Sequence, residues 1–166
     1  AEAVRLYTQA AEQGHAMTQH ILALYYYYGE GPLAKDTAEA VRLRRQAADQ
    51  GHAKAQRELA LRCMLGDVAA HDLADAARLF RLAAEQGDSG AHFWLGFLCE
   101  CGKGTTWDMV EVLRWYQAAA ALRNVRALAQ LGVCLEKGRG VVQSEAEAAA
   151  SYAAASELGK TDTLFA

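Results

Sequence analysis

Cys99 and Cys101 flank Glu100, a thiol–carboxylate–thiol run of the residue types that bind soft metals. On a helix, residues two apart stand about 200° apart around the axis, so these thiols diverge and chelate poorly. Four cysteines (Cys63, Cys99, Cys101, Cys134) are too few and too irregularly spaced for a disulfide framework, and a free cysteine mostly packs as a small hydrophobe. His15 and His52 occupy one recurring place where Asp88 and Asn124 stand later, and they read as first-turn surface residues, not ligands. The chain has no Gly-x-Ser-x-Gly, Ser-x-x-Lys, His-Glu-x-x-His or Gly-x-x-x-x-Gly-Lys run. Its Gly-x-Gly pairs follow no strand, which argues against a dinucleotide site. Neither metal nor cofactor is expected, and no enzymatic activity.

Recognition chemistry is better represented. Tyrosine, tryptophan and arginine dominate binding hot spots. Tyr25 and Tyr28, then Arg57, Glu58 and Arg62, then Phe93, Trp94 and Leu98 supply aromatic anchors around a charged middle. All eight fall at positions whose residue type changes along the chain while their surroundings recur.

Those surroundings are a repeat. Ala10-Ala11-Glu12-Gln13-Gly14 returns as Ala47-Ala48-Asp49-Gln50-Gly51 and as Ala83-Ala84-Glu85-Gln86-Gly87, at offsets of 37 and 36 residues. Worn copies follow at Ala119–Arg123 and Ala155–Gly159. A Leu-small step recurs as Leu22-Ala23, Leu59-Ala60, Leu95-Gly96 and Leu131-Gly132. Six residues after each step stands Gly29, Gly66, Gly102 or Gly138. A second turn glycine follows at Gly31, Gly104 and Gly140, with Val68 the exception. Of 14 glycines, only Gly90 lies outside the pattern, so chance is excluded as its source.

Each unit reads as two helices. Helix A, roughly 14–28, 52–65, 89–101 and 124–137, shows apolar spacing such as Ile21, Leu24, Tyr25 and Tyr28 and ends at glycine. Helix B opens with Asp36-x-x-Glu39, Asp108-x-x-Glu111 or Ser144-x-x-Glu147, or with the weaker version Asp72-x-x-Asp75, which read as reciprocal capping boxes rather than catalytic carboxylates. It then carries a large pair, Leu6-Tyr7, Leu79-Phe80 or Trp115-Tyr116, before an alanine-rich end closed by glycine. Residues 1–14 match the helix B of a preceding unit. Units follow at about 15–51, 52–87, 88–123 and 124–159, and 160–166 are in register with the start of another helix A. The chain is thus expected to be one array, a fragment of a longer one.

The pattern Ala-x-x-x-Leu-Gly, then Gly-x-Gly, a cap and Tyr-x-x-Ala-Ala-Glu-Gln-Gly resembles the Sel-1-like repeat family of tetratricopeptide-like solenoids. Ala91, Leu95, Gly96, Cys99, Gly102, Gly104, Asp108 and Tyr116 carry it best. The family's tyrosine is kept as Tyr26 but replaced by Cys63, Cys99 and Leu135, and Arg123 stands in place of a helix-ending glycine. The resemblance implies an all-α, right-handed superhelix of helix-turn-helix units and a scaffold or adaptor function. The eight variable residues are then expected on the concave face formed by the A helices, holding a peptide or partner protein. The alternative is a structural segment that self-associates end to end.

A net charge of −3, from 17 basic and 20 acidic residues, gives no electrostatic footprint for nucleic acid or an anionic membrane. No apolar run approaches the roughly 18 residues of a membrane span. Unmatched cysteines lean toward a reducing compartment, so the cytoplasm is favoured over the periplasm or secretion, with the compartment otherwise unassigned.

Overall fold

A computed structural model of the chain describes residues 2–66, 72–102 and 108–164, and it contains helices and no strand among them. The elements in order are α1 (Glu2–Glu12), α2 (Ala16–Tyr28), α3 (Thr37–Asp49), α4 (Ala53–Leu65) and α5 (Leu73–Glu85), then α6 (Ser89–Glu100), α7 (Met109–Ala121), α8 (Val125–Lys137) and α9 (Glu145–Leu164). They form two compact units, Ala1–Gln86 and Gly87–Ala166. The second positions of the turn-glycine series at Val68 and Gly104 lie outside the described residues.

In the first unit, Val4, Ala11, Leu22, Ala23 and Leu43 make a core, with Tyr7, Tyr25, Tyr26 and Leu33 packed against it. In the second unit, Phe93, Cys99, Val112, Tyr116, Ala119 and Ala127 do the same, with Trp94, Met109, Trp115 and Leu131 around them. Each large side chain fully buried this way contributes about 1.5–3 kcal/mol. The alanines Ala47, Ala48, Ala83 and Ala84 are buried, as close helix approach requires.

The B helices are capped as expected on one side only. Asp36, Asp72 and Ser144 accept from the amide three residues on, at 3.0, 2.9 and 3.3 Å. Asp108 departs from the box and accepts from Val110 N, two residues on, at 2.9 Å. The expected reach-back does not form. Glu39 holds Arg42, Asp75 holds Arg78, and Glu111 accepts from the Trp115 indole. The reason is visible at two caps: the amides of Asp36 and Ser144 already donate to the carbonyls of Tyr26 and Leu135, at 2.8 and 3.0 Å. A satisfied amide has no use for a glutamate.

The A helices have caps of their own. His52 Nδ1 accepts from Ala55 N at 3.2 Å, Asp88 from Ala91 N at 2.8 Å and Asn124 from Ala127 N at 3.0 Å. The reading of His52 as a mere surface residue is thereby corrected: it belongs to a recurring N-cap, which histidine fills through a ring nitrogen. His15 occupies the same place without a side-chain cap bond. The fifth such place is Lys160, which has no acceptor. Accordingly the expected stop at Gly159 is not made, and α9 continues as one helix of 20 residues to Leu164.

Candidate functional site

Side-chain bridges tie each A helix to its neighbours. In the first unit Gln19 Nε2 donates to Ala11 O at 3.1 Å, and Gln19 Oε1 accepts from Gln50 Nε2 at 2.7 Å. The same pair recurs as Gln56 to Ala48 O at 3.2 Å and Gln86 to Gln56 at 2.8 Å. These amides hold successive helices in one register, so residues on the A helices of this unit sit at fixed places.

The eight expected recognition residues divide by burial. Tyr28 is 62% exposed, and its ring meets Tyr27 edge-on at 5.1 Å. Tyr25 is half-buried, 6.1 Å from the Tyr7 ring in the core of the first unit. Arg57 and Glu58, also half-buried, pair at 3.2 Å. Arg62 Nη1 donates to the Tyr27 hydroxyl at 2.7 Å, and its guanidinium carbon lies 4.2 Å from the centroid of that ring. In the second unit Trp94 is half-buried, edge-on to Phe97 at 5.6 Å and with Arg126 5.8 Å from its centroid. Phe93 and Leu98, however, are only 6% and 0% exposed. The expectation that they face a partner is corrected: Phe93 stacks on Tyr116 at 5.9 Å, and both are core.

The sequence reading missed the residues that organise the first of these clusters. Arg44 is 1% exposed, lies 5.7 Å from the Tyr27 centroid, and its Nε and Nη1 have no hydrogen-bond partner. Leaving such donors buried costs about 1–3 kcal/mol each. Burial pulls the guanidinium pKa below its usual value; Glu58, Tyr27 and Tyr28 act in its favour and Arg62 against it. His20, buried as well, lies tilted against the His52 ring, 5.0 Å between centroids, with its Nδ1 unbonded. Burial, then His52 and Arg44, push its pKa down to about 4 despite Glu58. A signal for Arg44 existed. Its place in helix B is taken by Tyr7, Phe80, Tyr116 and Tyr152 elsewhere.

The partner place on helix A changes in step. Tyr116 donates to Glu100 at 2.7 Å and Tyr152 to Glu136 at 2.9 Å. In the first unit Tyr27 stands where those glutamates stand, opposite Arg44. Tyrosine and ion have changed helices, and the ion has changed sign. Among the described residues no three metal-ligating side chains gather. No described helix is long and apolar enough to cross a membrane.

Paired helices repeating with the same caps, turns and bridges define a tandem-repeat α-solenoid. The Sel1 repeat model matches residues 1–15, 16–52, 53–88, 89–124 and 125–160. The chain belongs to the Sel1 repeat family, whose members are generally non-catalytic scaffolds that mediate protein–protein interaction. It is similar to a protective antigen of uropathogenic Escherichia coli strains displaying an SLR fold: 31% identity over 94% of this chain and 33% of that one, TM-score 0.88. A Sel1 repeat protein from Oxalobacter formigenes is 32% identical over 89% of this chain and 58% of that one, TM-score 0.81. An immunity protein from Pseudomonas aeruginosa is 25% identical over 98% of this chain and 58% of that one, TM-score 0.63. The chain thus spans a third to under two thirds of the length of these relatives. No curated protein sequence matches it.

Proposed function

We propose that this chain is a non-catalytic scaffold segment that holds a peptide or partner protein on the concave face of its A helices. The contact residues in this reading are Tyr28, Arg57, Glu58 and Arg62, with Tyr25 at their edge, and separately Trp94. The observation that carries it is Tyr28, a large aromatic left 62% exposed beside a ring that Arg62 holds by bond and stack. Covering an exposed aromatic removes apolar surface from water, and tyrosine is a common hot-spot anchor, so its burial is realised as affinity. The general habit of the family and the presence of an immunity protein among its structural relatives support a protein as the partner. Four free cysteines fit a reducing compartment and favour the cytoplasm.

The test is affinity capture from the source proteome by the wild type and by a Tyr28→Ala/Arg57→Ala variant with unchanged helical spectrum and melting temperature. A protein held by the first and lost by the second is the expected result. Equal capture by both would sink the assignment of the face. Capture of only further copies of the chain itself would favour the self-associating alternative.

A further inference from the structure

Three cations gather on the Tyr27 ring: Arg62 at 4.2 Å from its centroid, Lys35 Nζ at 5.6 Å and Arg44 at 5.7 Å. Arg44 is the buried one, and its Nε and Nη1 are unbonded. His20 adds an unbonded, buried Nδ1, and its field is shared with His52, Arg44, Arg57 and Glu58. Glu58 is the carboxylate that acts on both His20 and Arg44, and it is already bonded to Arg57. In the second unit the equivalent helix pairs supply their own carboxylates, Glu100 and Glu136, to the residue on helix B. At Arg44 that acceptor is replaced by Tyr27, whose hydroxyl already receives Arg62.

We propose that the first unit binds a carboxylate of an acidic peptide at the Arg44 guanidinium, where α2, α3 and α4 meet. Nε–H and Nη1 lie on different edges of the guanidinium, so the carboxylate accepts from one of these two unbonded donors in a charge-assisted bond. Two exposed side chains stand near the guanidinium: Tyr28, which acts on its charge, and Lys35, which shares the Tyr27 ring. Glutamate or aspartate of the partner thus replaces, from outside, the glutamate that other repeats carry within. This rests on the reading that a partner docks on the A helices of this unit, and it names the chemistry of that partner.

The probe is an N-acetylated, C-amidated hexaglutamate, with hexaglutamine and inorganic phosphate as comparisons, titrated calorimetrically at physiological salt. The variant is Arg44→Phe, which restores the aromatic that Phe80 provides in the next repeat. Expected are saturable binding of hexaglutamate, none of hexaglutamine, and a loss of about 30-fold or more in Arg44→Phe. A second readout needs no variant: His20 ring resonances of the wild type shift on titration while those of exposed His15 stay. Absent binding, equal binding by both proteins, or a silent His20 overturns the proposal. Phosphate displacing the peptide at equal concentration overturns its carboxylate specificity. If hexaglutamate fails while Tyr28→Ala/Arg57→Ala still loses its partner, only the acidic-peptide inference falls. If hexaglutamate binds through Arg44 while that double variant captures normally, the docking face falls and the carboxylate site stands.

Discussion

The hydroxyl of Tyr116 donates to Glu100 across 2.7 Å, joining a fully buried ring on α7 to a carboxylate on α6. Burial and then that carboxylate hold the phenol well above its ordinary pKa, so it stays a donor throughout the working pH range. Replacing Tyr116 with phenylalanine keeps the ring and removes the bond. A loss of about 1.5 kcal/mol in urea unfolding is expected, the ordinary worth of a hydrogen bond to a charged group. Glu100 keeps its bond to Arg139 at 2.9 Å, so the loss stays at the low end. An unchanged denaturation midpoint would count against the bond.

Gly96 sits under the same ring. A Cβ built there would lie 2.9 Å from two Tyr116 ring carbons and 3.2 Å from Trp115 Cβ. Alanine is favoured over glycine in a helix by up to about 1 kcal/mol, so propensity alone predicts that Gly96→Ala stabilises. Overlap with a ring held at its hydroxyl opposes this, at about 1–3 kcal/mol for an overpacked core. The expected result is net destabilisation, with a smaller effect of Gly96→Ala when it is measured in a Tyr116→Ala background. A single variant that melts higher than wild type would refute the contact.

Arg123 has φ +60°, the left-handed conformation that Gly14, Gly51 and Gly87 adopt at the same place in other repeats. For a residue with a Cβ this costs about 1–2 kcal/mol, offset in part by the greater unfolded entropy of glycine. Arg123→Gly should therefore raise stability by about 0.5–1 kcal/mol, seen as a higher melting temperature with the same helical content. A drop would show that the arginine side chain repays its backbone.

His20 makes stability depend on pH. Its folded pKa, near 4, lies below the unfolded 6.5, so the unfolded chain takes up the proton first as pH falls. The full contribution is present above pH 6.5 and is lost between 6.5 and about 4, amounting to about 3 kcal/mol. His52 adds in the same direction, since burial and then Lys54 lower its pKa too. Chemical unfolding at pH 7 and pH 4.5 should show a smaller drop for His20→Gln than for wild type. Parallel drops would place the pH dependence elsewhere.

The repeat, the helix order and the B-helix caps were legible because each depends on residues a few places apart in the chain. The A-helix caps were equally local, but histidine, aspartate and asparagine share that place, and their common role as acceptors is easily overlooked. Burial was the least legible property. Spacing marks Tyr28, Trp94 and Leu98 alike as one stripe, yet only Tyr28 lies open while Leu98 is closed off, because an A helix packs on more than one flank. Arg44 was legible in principle, by reading down the repeats at a fixed place rather than along the helix. Its unbonded donors were not, since they depend on where Tyr27 and Arg62 point.

The close fit of Gly96 to Tyr116, and of Gly132 to Tyr152, whose ring would lie 2.6 Å from a Cβ built on Gly132, couples residues on opposite sides of a turn. The first two repeats have alanine at that step, opposite Arg44 and Phe80. A recombination crossover inside the turn between helices A and B can set Ala23 or Ala60 against Tyr116 or Tyr152, where the ring as placed leaves no room for a Cβ. A crossover between whole units keeps each such pair intact.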